Sequence, residues 1–275
     1  VAPSIFSMPQ RTLVRAARAV LSAALVSAGE TKAPGRVLLV RHGETNFNAD
    51  GRLQGRLESE LTSKGHLQAM ALGKWLSNVG DSVDRVFVSP RLRTRQTLAD
   101  IASQCPGLPS AVARPGLREI ELTMWEGQKR ADLRDSSGQL DMQRWSQWKQ
   151  SPSAFVFVED GHSPLGDLKC RAEEEWEALA VATAPSTTSL VIAHGAYNRV
   201  FVLTALGLPV DDFGFKDDAK HFDFENCAMV ELSIEPGAAL ASAWRRRYPT
   251  LSAWMSREEE IERRQDAIER DTELA

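Results

Sequence analysis

The chain has 275 residues, 43% hydrophobic and 25% charged, with 33 Lys+Arg against 37 Asp+Glu and a formal net charge of −4. This length suits one large domain or two small ones, able to bury a core without staples, and the missing basic excess argues against nucleic-acid binding through bulk charge. Cys105, Cys170 and Cys227 form no CxxC pair, which disfavours a disulfide scaffold or a cysteine zinc cage and suits a reducing compartment, and no stretch reaches the ~18 apolar residues of a membrane span.

The first acidic residue is Glu30, and before it Arg11, Arg15 and Arg18 stand among Ala, Ser, Val and Leu. On a helix these arginines share one face. Three readings stay open: an organelle transit segment, a weak secretory stretch over Ala19 to Ala28, and a solvated N-terminal helix. The transit reading predicts a plastid location, with mitochondrial or cytoplasmic ones as alternatives. Val37 to Val40 is a short apolar run that predicts a strand buried on both faces. Leu61 to Val79 predicts a helix capped by Thr62, with Leu67, Met70, Ala71, Lys74 and Trp75 along its inner stripe. Val83 to Val88 predicts a second strand, Arg91 to Ala102 a second helix, and Leu165 to Ala180 a third, with Leu168, Ala172 and Trp176 in line. Ser189 to Ala193 is another buried strand, Asn198 to Leu206 a helix, and Cys227 to Ile234 a last strand. Ser256 to Glu273 reads as a solvated charged helix.

Strands alternating with helices predict an α/β fold, a three-layer sandwich with a mostly parallel sheet. The expected division is a targeting or flexible segment over 1–35, a catalytic domain over 36–235 and a charged helical extension over 236–275. Two segments share one grammar: buried strand, then His-Gly, then helix. They are Arg41-His42-Gly43 and Ala193-His194-Gly195. Ligands of open α/β sheets bind at the carboxyl ends of strands, so both histidines should face one crevice. Glycine there lets backbone N–H groups approach an anion, and a following helix N-terminus adds its dipole.

Arg41-His42-Gly43-Glu44-Thr45 with Asn48 resembles the signature of the histidine phosphatase superfamily, the phosphoglycerate mutase-like enzymes. Gly51-Arg52-Leu53-Gln54-Gly55 and Leu61-Thr62-Ser63-Lys64-Gly65 resemble its next blocks. Ser89-Pro90-Arg91-Leu92-Arg93-Thr94-Arg95-Gln96-Thr97 resembles its Ser-Pro block, and Leu117-Arg118-Glu119-Ile120 with Trp125-Glu126-Gly127 resembles the phosphatase-branch block that carries the acid. The pattern departs at Thr123, where the family often has glycine, and at Arg91, where it has leucine. Asp160-Gly161-His162-Ser163-Pro164, Arg144-Trp145, Trp148, Arg171-Ala172, Trp176 and Asn198 are similar to a plant and algal branch of the family.

The resemblance implies a phosphomonoesterase acting on a small phosphorylated sugar or sugar acid. His42 is the implied nucleophile, neutral and forming a phosphohistidine. Arg41, Arg93 and His194 would neutralise the phosphate oxygens, with Gly43, Asn48, Gln54, Gly55 and Gly195 completing the cradle. Glu119 aligns with the acid that protonates the leaving group, and Glu126 is a second candidate. Trp145 and Trp148 are expected as packing or a lid wall over the crevice, and His66 and His221 as ordinary surface or core histidines. No metal or other cofactor is called for, because the cationic side chains take that role. The expected partner is a small phosphorylated metabolite, with no nucleic acid and no membrane. Oligomeric state leaves no trace in the sequence. Two alternatives remain: mutase-type phosphotransfer, and a non-catalytic or protein-directed member that binds phosphate.

Overall fold

The structure, a computed structural model, describes residues 32–78, 82–210 and 224–248. One six-stranded sheet organises them, in the order β3-β2-β4-β1-β5-β6. Its strands are β1 (Gly35–Arg41), β2 (Arg85–Val88), β3 (Ala111–Ala113), β4 (Thr188–Ala193), β5 (Met229–Ile234) and β6 (Ala243–Tyr248). The β1–β4, β4–β2 and β2–β3 pairs are parallel, while β5 runs antiparallel to β1 and β6 antiparallel to β5. The helices are α1 (Asn46–Ala49), α2 (Ser63–Asn78), α3 (Leu92–Gln104), α4 (Met142–Gln150), α5 (Pro164–Ala182) and α6 (Gly195–Ala205).

Strand periodicity sorts the core into two layers. Val37 and Leu39 face the cluster that holds Leu168, Ala172, Trp176, Val200 and Phe201 of α5 and α6. Leu38 and Val40 face the other, with Ala69, Leu72 and Leu76 of α2 and Ile101 of α3. The expected three-layer sandwich is therefore the observed fold, with α2 and α3 on one face of the sheet and α5 and α6 on the other. Adjacent strands β1 and β4 send their following helices to opposite faces. That is a topological switch point, where a crevice opens at the carboxyl ends of the strands.

Some expectations need correction. Thr62 Oγ1 accepts from the Gly65 N–H at 3.0 Å, as a cap should. Of the expected inner stripe of α2, Ala71 is buried and Trp75 packs half-buried against the core, but the rest of the buried face is Gly65, Gln68, Ala69, Leu72, Gly73 and Leu76, and Leu67 is 57% exposed. Close approach to α3 selects the small face: a Cβ on Gly73 would come within 2.5 Å of the Ile101 carbonyl oxygen. The last strand starts at Met229 because Cys227 turns the chain with φ +58°. The sheet also continues past residue 235, since β6 pairs with β5 and Arg245 Nη2 reaches the buried Glu231 Oε1 at 2.7 Å. A run of three arginines beside Trp244 reads as a solvated extension, yet the cross-strand ion pair makes it an edge strand. The arginines before Glu30, the stretch from Ser256 to Glu273, and His221 lie outside the described residues.

Candidate active site

The β1–β4 register places Arg41 opposite Ala193, so the residues that follow, His42 and His194, leave the sheet side by side. The His42 N–H donates to the Ala193 carbonyl at 3.1 Å, and the two imidazole centroids are 5.3 Å apart at 64°. Asn226 pins the same corner, its Nδ2 donating to the His42 carbonyl and to Asn48 Oδ1, each at 3.1 Å.

His42 is buried, and its Nδ1 lies 2.8 Å from the Gly43 carbonyl oxygen. A carbonyl only accepts, so Nδ1 carries the proton and Nε2 keeps its lone pair. Burial first, then Arg93 and Arg41, hold the pKa well below 6.5. His42 is therefore a neutral base with one free nitrogen. His194 differs: Nδ1 accepts from Arg93 Nε at 3.1 Å and Nε2 lies 2.8 Å from Ser89 Oγ. Both of its nitrogens have protein partners, and burial followed by Arg93 holds it well below 6.5 as well.

Arg93 is fully buried on the first turn of α3. Besides His194 it donates to the carbonyls of Leu57 and Gly55, each at 3.0 Å. Three of its five N–H groups are thus spent on positioning. Burial lowers its pKa to about 10, so it stays cationic at neutral pH. Arg41 Nη1 donates to the Phe224 carbonyl at 2.6 Å, and its buried Nε has no partner among the described residues. A Cβ on Gly195 would come within 3.2 Å of that Nε, so the glycine lets the guanidinium lie across the start of α6.

Arg93, Arg41, His42, Asn48, Gln54, Gly55, Glu119 and Gly195 all line one cleft of about 630 Å³, together with Trp145 and Trp148. His194 sits buried behind it. Gly43 is not on its wall: its N–H donates to Thr97 Oγ1 at 3.0 Å, and a Cβ there would come within 2.5 Å of the Gly65 carbonyl oxygen. Gln54 Nε2 donates to Thr45 Oγ1, while its Oε1 is buried without a partner.

Glu119 Oε1 accepts from the N–H groups of Ile120 and Tyr197, each at 2.9 Å, and Oε2 from Ala196 at 3.3 Å. The carboxyl group therefore sits on the N-terminal turn of α6, against N–H groups that have no partner within the helix. Glu126 is turned away from the cleft: Oε1 accepts from Leu122 N–H at 3.0 Å and Oε2 from Arg56 Nε at 3.2 Å. Arg91 lies just before α3 and donates to Glu58 at 3.3 Å, and Arg95 is exposed. His66 is bonded to Asp100 at 2.7 Å, away from the cleft. Thr123 has φ +41°, a left-handed conformation that a β-branched residue adopts only with strain, and its hydroxyl is buried without a partner.

Residues 37–247 match the histidine phosphatase superfamily (branch 1). The chain is a member of that superfamily. It is 37% identical to a 2-carboxy-D-arabinitol-1-phosphatase from Triticum aestivum over 179 residues, 65% of this chain and 34% of that protein. A bacterial relative from Erwinia tasmaniensis, which bears a phosphoglycerate mutase name, is 30% identical over 212 residues, 76% of this chain and 89% of that one. The crystal structure of the alpha-ribazole phosphatase from Shigella flexneri superposes with a TM-score of 0.61 at 24% identity, covering 75% of this chain and 93% of that one. It shows the phosphoglycerate mutase-like fold. The chain spans 34–39% of the length of its plant relatives.

Several residues of this superfamily member matter to the site without a role assigned from sequence. Ser89 and Thr97 fall inside a motif block, yet their bonds to His194 and Gly43 follow only from strand register and helix placement. Arg52, Arg130 and Arg199 also line the cleft. Trp125, Trp145, Trp148, Phe155 and Phe157 form an aromatic wall, with Trp125 edge-on to Trp145 at 5.5 Å and to Phe157 at 4.8 Å. Among the described residues no group of three or more His, Cys, Asp or Glu could hold a metal ion, and no helix is long and apolar enough to cross a membrane.

Proposed function

We propose that this protein is a phosphomonoesterase that hydrolyses a small phosphorylated sugar or sugar acid through a phosphohistidine on His42. The observation that carries the reading is the state of His42. Its proton is committed to a backbone carbonyl, and its ring lines a cleft that also holds the buried Arg93 and the half-buried Arg41. The Nε2 lone pair forms the N–P bond as the ester P–O bond breaks. Arg41 and Arg93 carry the charge on the transferring oxygens. Glu119 delivers a proton to the departing alkoxide. Water then attacks phosphorus, Glu119 takes back a proton, the N–P bond breaks, and inorganic phosphate leaves. His194 contributes by holding Arg93 and as a neutral wall behind the phosphate.

Five cleft arginines against Glu119 and Glu225 favour a substrate with a second anionic group. The name of the wheat relative points the same way, to a phosphorylated sugar acid. In this reading the catalytic unit runs from Arg36 to Tyr248, and the basic segment before Glu30 is a plastid transit peptide. The mutase alternative draws on the name of the Erwinia relative.

The test is phosphate release across a panel of phosphorylated metabolites, with His42→Ala alongside. The wild type should release phosphate from a sugar or sugar-acid ester, and acid-quenched enzyme should carry acid-labile phosphate. His42→Ala should lose at least ~10³-fold in turnover. Activity in His42→Ala above a few per cent, or phosphate passed to a second metabolite instead of to water, overturns the reading.

A further inference from the structure

Glu119 lies in a stretch without strand pairing, between the short 3₁₀ turns Pro115–Leu117 and Thr123–Trp125. From its own backbone the segment gives the carboxyl the Ile120 N–H, and no strand partner holds the segment itself. The bonds that hold the segment come from α5. Arg171 Nη1 donates to the carbonyls of Gly116 at 3.0 Å and Arg118 at 2.6 Å, and Nη2 donates to the carbonyl of Glu119 itself at 3.1 Å. One turn further along the same helix face, Glu175 pairs with Arg114 at the entrance to the segment. A Cβ on Gly116 would overlap the Glu175 carboxylate, so the loop lies directly on this pair.

We propose that Arg171 is the positioning residue for the general acid: its planar fork collects three carbonyls of the acid loop and so sets Glu119 on the first turn of α6. The proposal rests on the reading of Glu119 as the acid. Glu119 is then held at both ends. Arg171 takes the backbone, and the N–H groups of Ala196 and Tyr197 take the carboxylate. A lysine cannot replace this arrangement, because one ammonium nitrogen cannot occupy the positions of both Nη atoms. Arg171 does not line the cleft, so its loss should act through Glu119 and leave the phosphate pocket standing.

A general acid matters most when the leaving group is a poor one. The experiment therefore compares 4-nitrophenyl phosphate with benzyl phosphate, whose leaving group is an aliphatic alkoxide, by single-turnover phosphoenzyme formation. Glu119→Gln should slow benzyl phosphate by ~10²–10³-fold and 4-nitrophenyl phosphate by less than ~10-fold. Arg171→Lys should show the same bias at smaller size, ~10-fold against less than ~3-fold, with both KM values within ~2-fold. In the Glu119→Gln background, Arg171→Lys should add no further bias. Thermal unfolding of each variant checks the fold, and Arg171→Gln is the second variant should the lysine fail to fold. Equal losses on both esters, no loss on either, or full additivity overturns the clamp while Glu119 keeps its role. No leaving-group bias in Glu119→Gln itself overturns the acid, and the clamp falls with it.

Discussion

Two imidazoles with centroids 5.3 Å apart and Arg41 and Arg93 beside them have reason to stay uncharged. Nδ1 of His42 is committed as donor, and Nδ1 of His194 as acceptor from Arg93. Protonating either places a new cation, buried, among arginines. This ties stability to pH with a definite sign. Unfolded, both histidines take protons near their ordinary value of 6.5; folded, they refuse them until well below it. Between those limits the unfolded chain binds up to two more protons, so stability falls as pH drops below 6.5 and is level above it. The slope is at most about 2.7 kcal/mol per pH unit for two protons. Urea unfolding at intervals between about pH 8 and pH 5 measures it, since the usual carboxylates titrate lower. A transition midpoint that does not move between pH 6.5 and 5 would refute the neutral assignment of both rings.

At the scale of elements, the nucleophile is placed by β1 and by what β1 runs into. Beyond Arg41 the chain passes over the first turn of α2, where Gly43 and Gly65 meet without side chains. A Cβ on Gly65 would overlap the Glu44 carbonyl oxygen and lie 2.9 Å from the Glu44 nitrogen, and these are backbone atoms that no rotamer change can clear. Gly65→Ala should therefore destabilise by about 1–3 kcal/mol. By dragging residues 43 and 44 it should also cost at least ~10-fold in turnover. Gly107→Ala, which meets nothing within 4 Å, is the control and should change neither. Melting temperatures and phosphate release on the two variants decide it. An unperturbed Gly65→Ala would mean that the loop carrying His42 is not seated on α2. The same elements explain what could be read from sequence. The runs in β1 and β4 were legible because both faces of those strands are buried, and two strand-His-Gly-helix segments announced a shared crevice. β3 was not, because its three residues are exposed and only its backbone pairs. The stripe of α2 is only partly legible, because its buried face mixes Leu72 and Leu76 with Ala69 and Gly73, and the need for a small residue at 73 comes from the close approach of α3. Arg41, His42 and Glu119 stand in contiguous motif blocks. The bonds of Ser89, Thr97 and Arg171 join positions 52 to 105 residues apart, and no local pattern encodes those distances.

The whole molecule carries a formal charge of −4, yet its cleft is lined by five arginines and two glutamates. The field at the cleft is therefore opposite in sign to the net charge, and it is this local field that an approaching phosphate ester meets. Arg93 is buried with three of its N–H groups committed, and Arg41 lies half-buried across the start of α6, so the part of this field that first meets an approaching anion comes from the rim. Arg130 is exposed there, and it is close enough to Arg41 to contribute to lowering that residue's pKa. Capture and chemistry should consequently respond differently to salt. Raising ionic strength from about 0.01 M to about 0.1 M shrinks the screening length from about 30 Å to about 10 Å. kcat/KM for an anionic sugar phosphate should fall several-fold, roughly 3- to 10-fold, while kcat stays level, because buried groups are screened far less than exposed ones. Arg130→Glu reverses one rim charge without touching the nucleophile. It should lower kcat/KM at low salt by about the same factor, remove most of the salt dependence, and leave kcat within ~2-fold. Initial rates over a substrate series at the two ionic strengths separate the parameters. If salt and Arg130→Glu acted on kcat instead, the rim arginine would be reaching the transferring phosphate itself, and the division between a buried phosphate cradle and a rim that gathers anions would have to be redrawn.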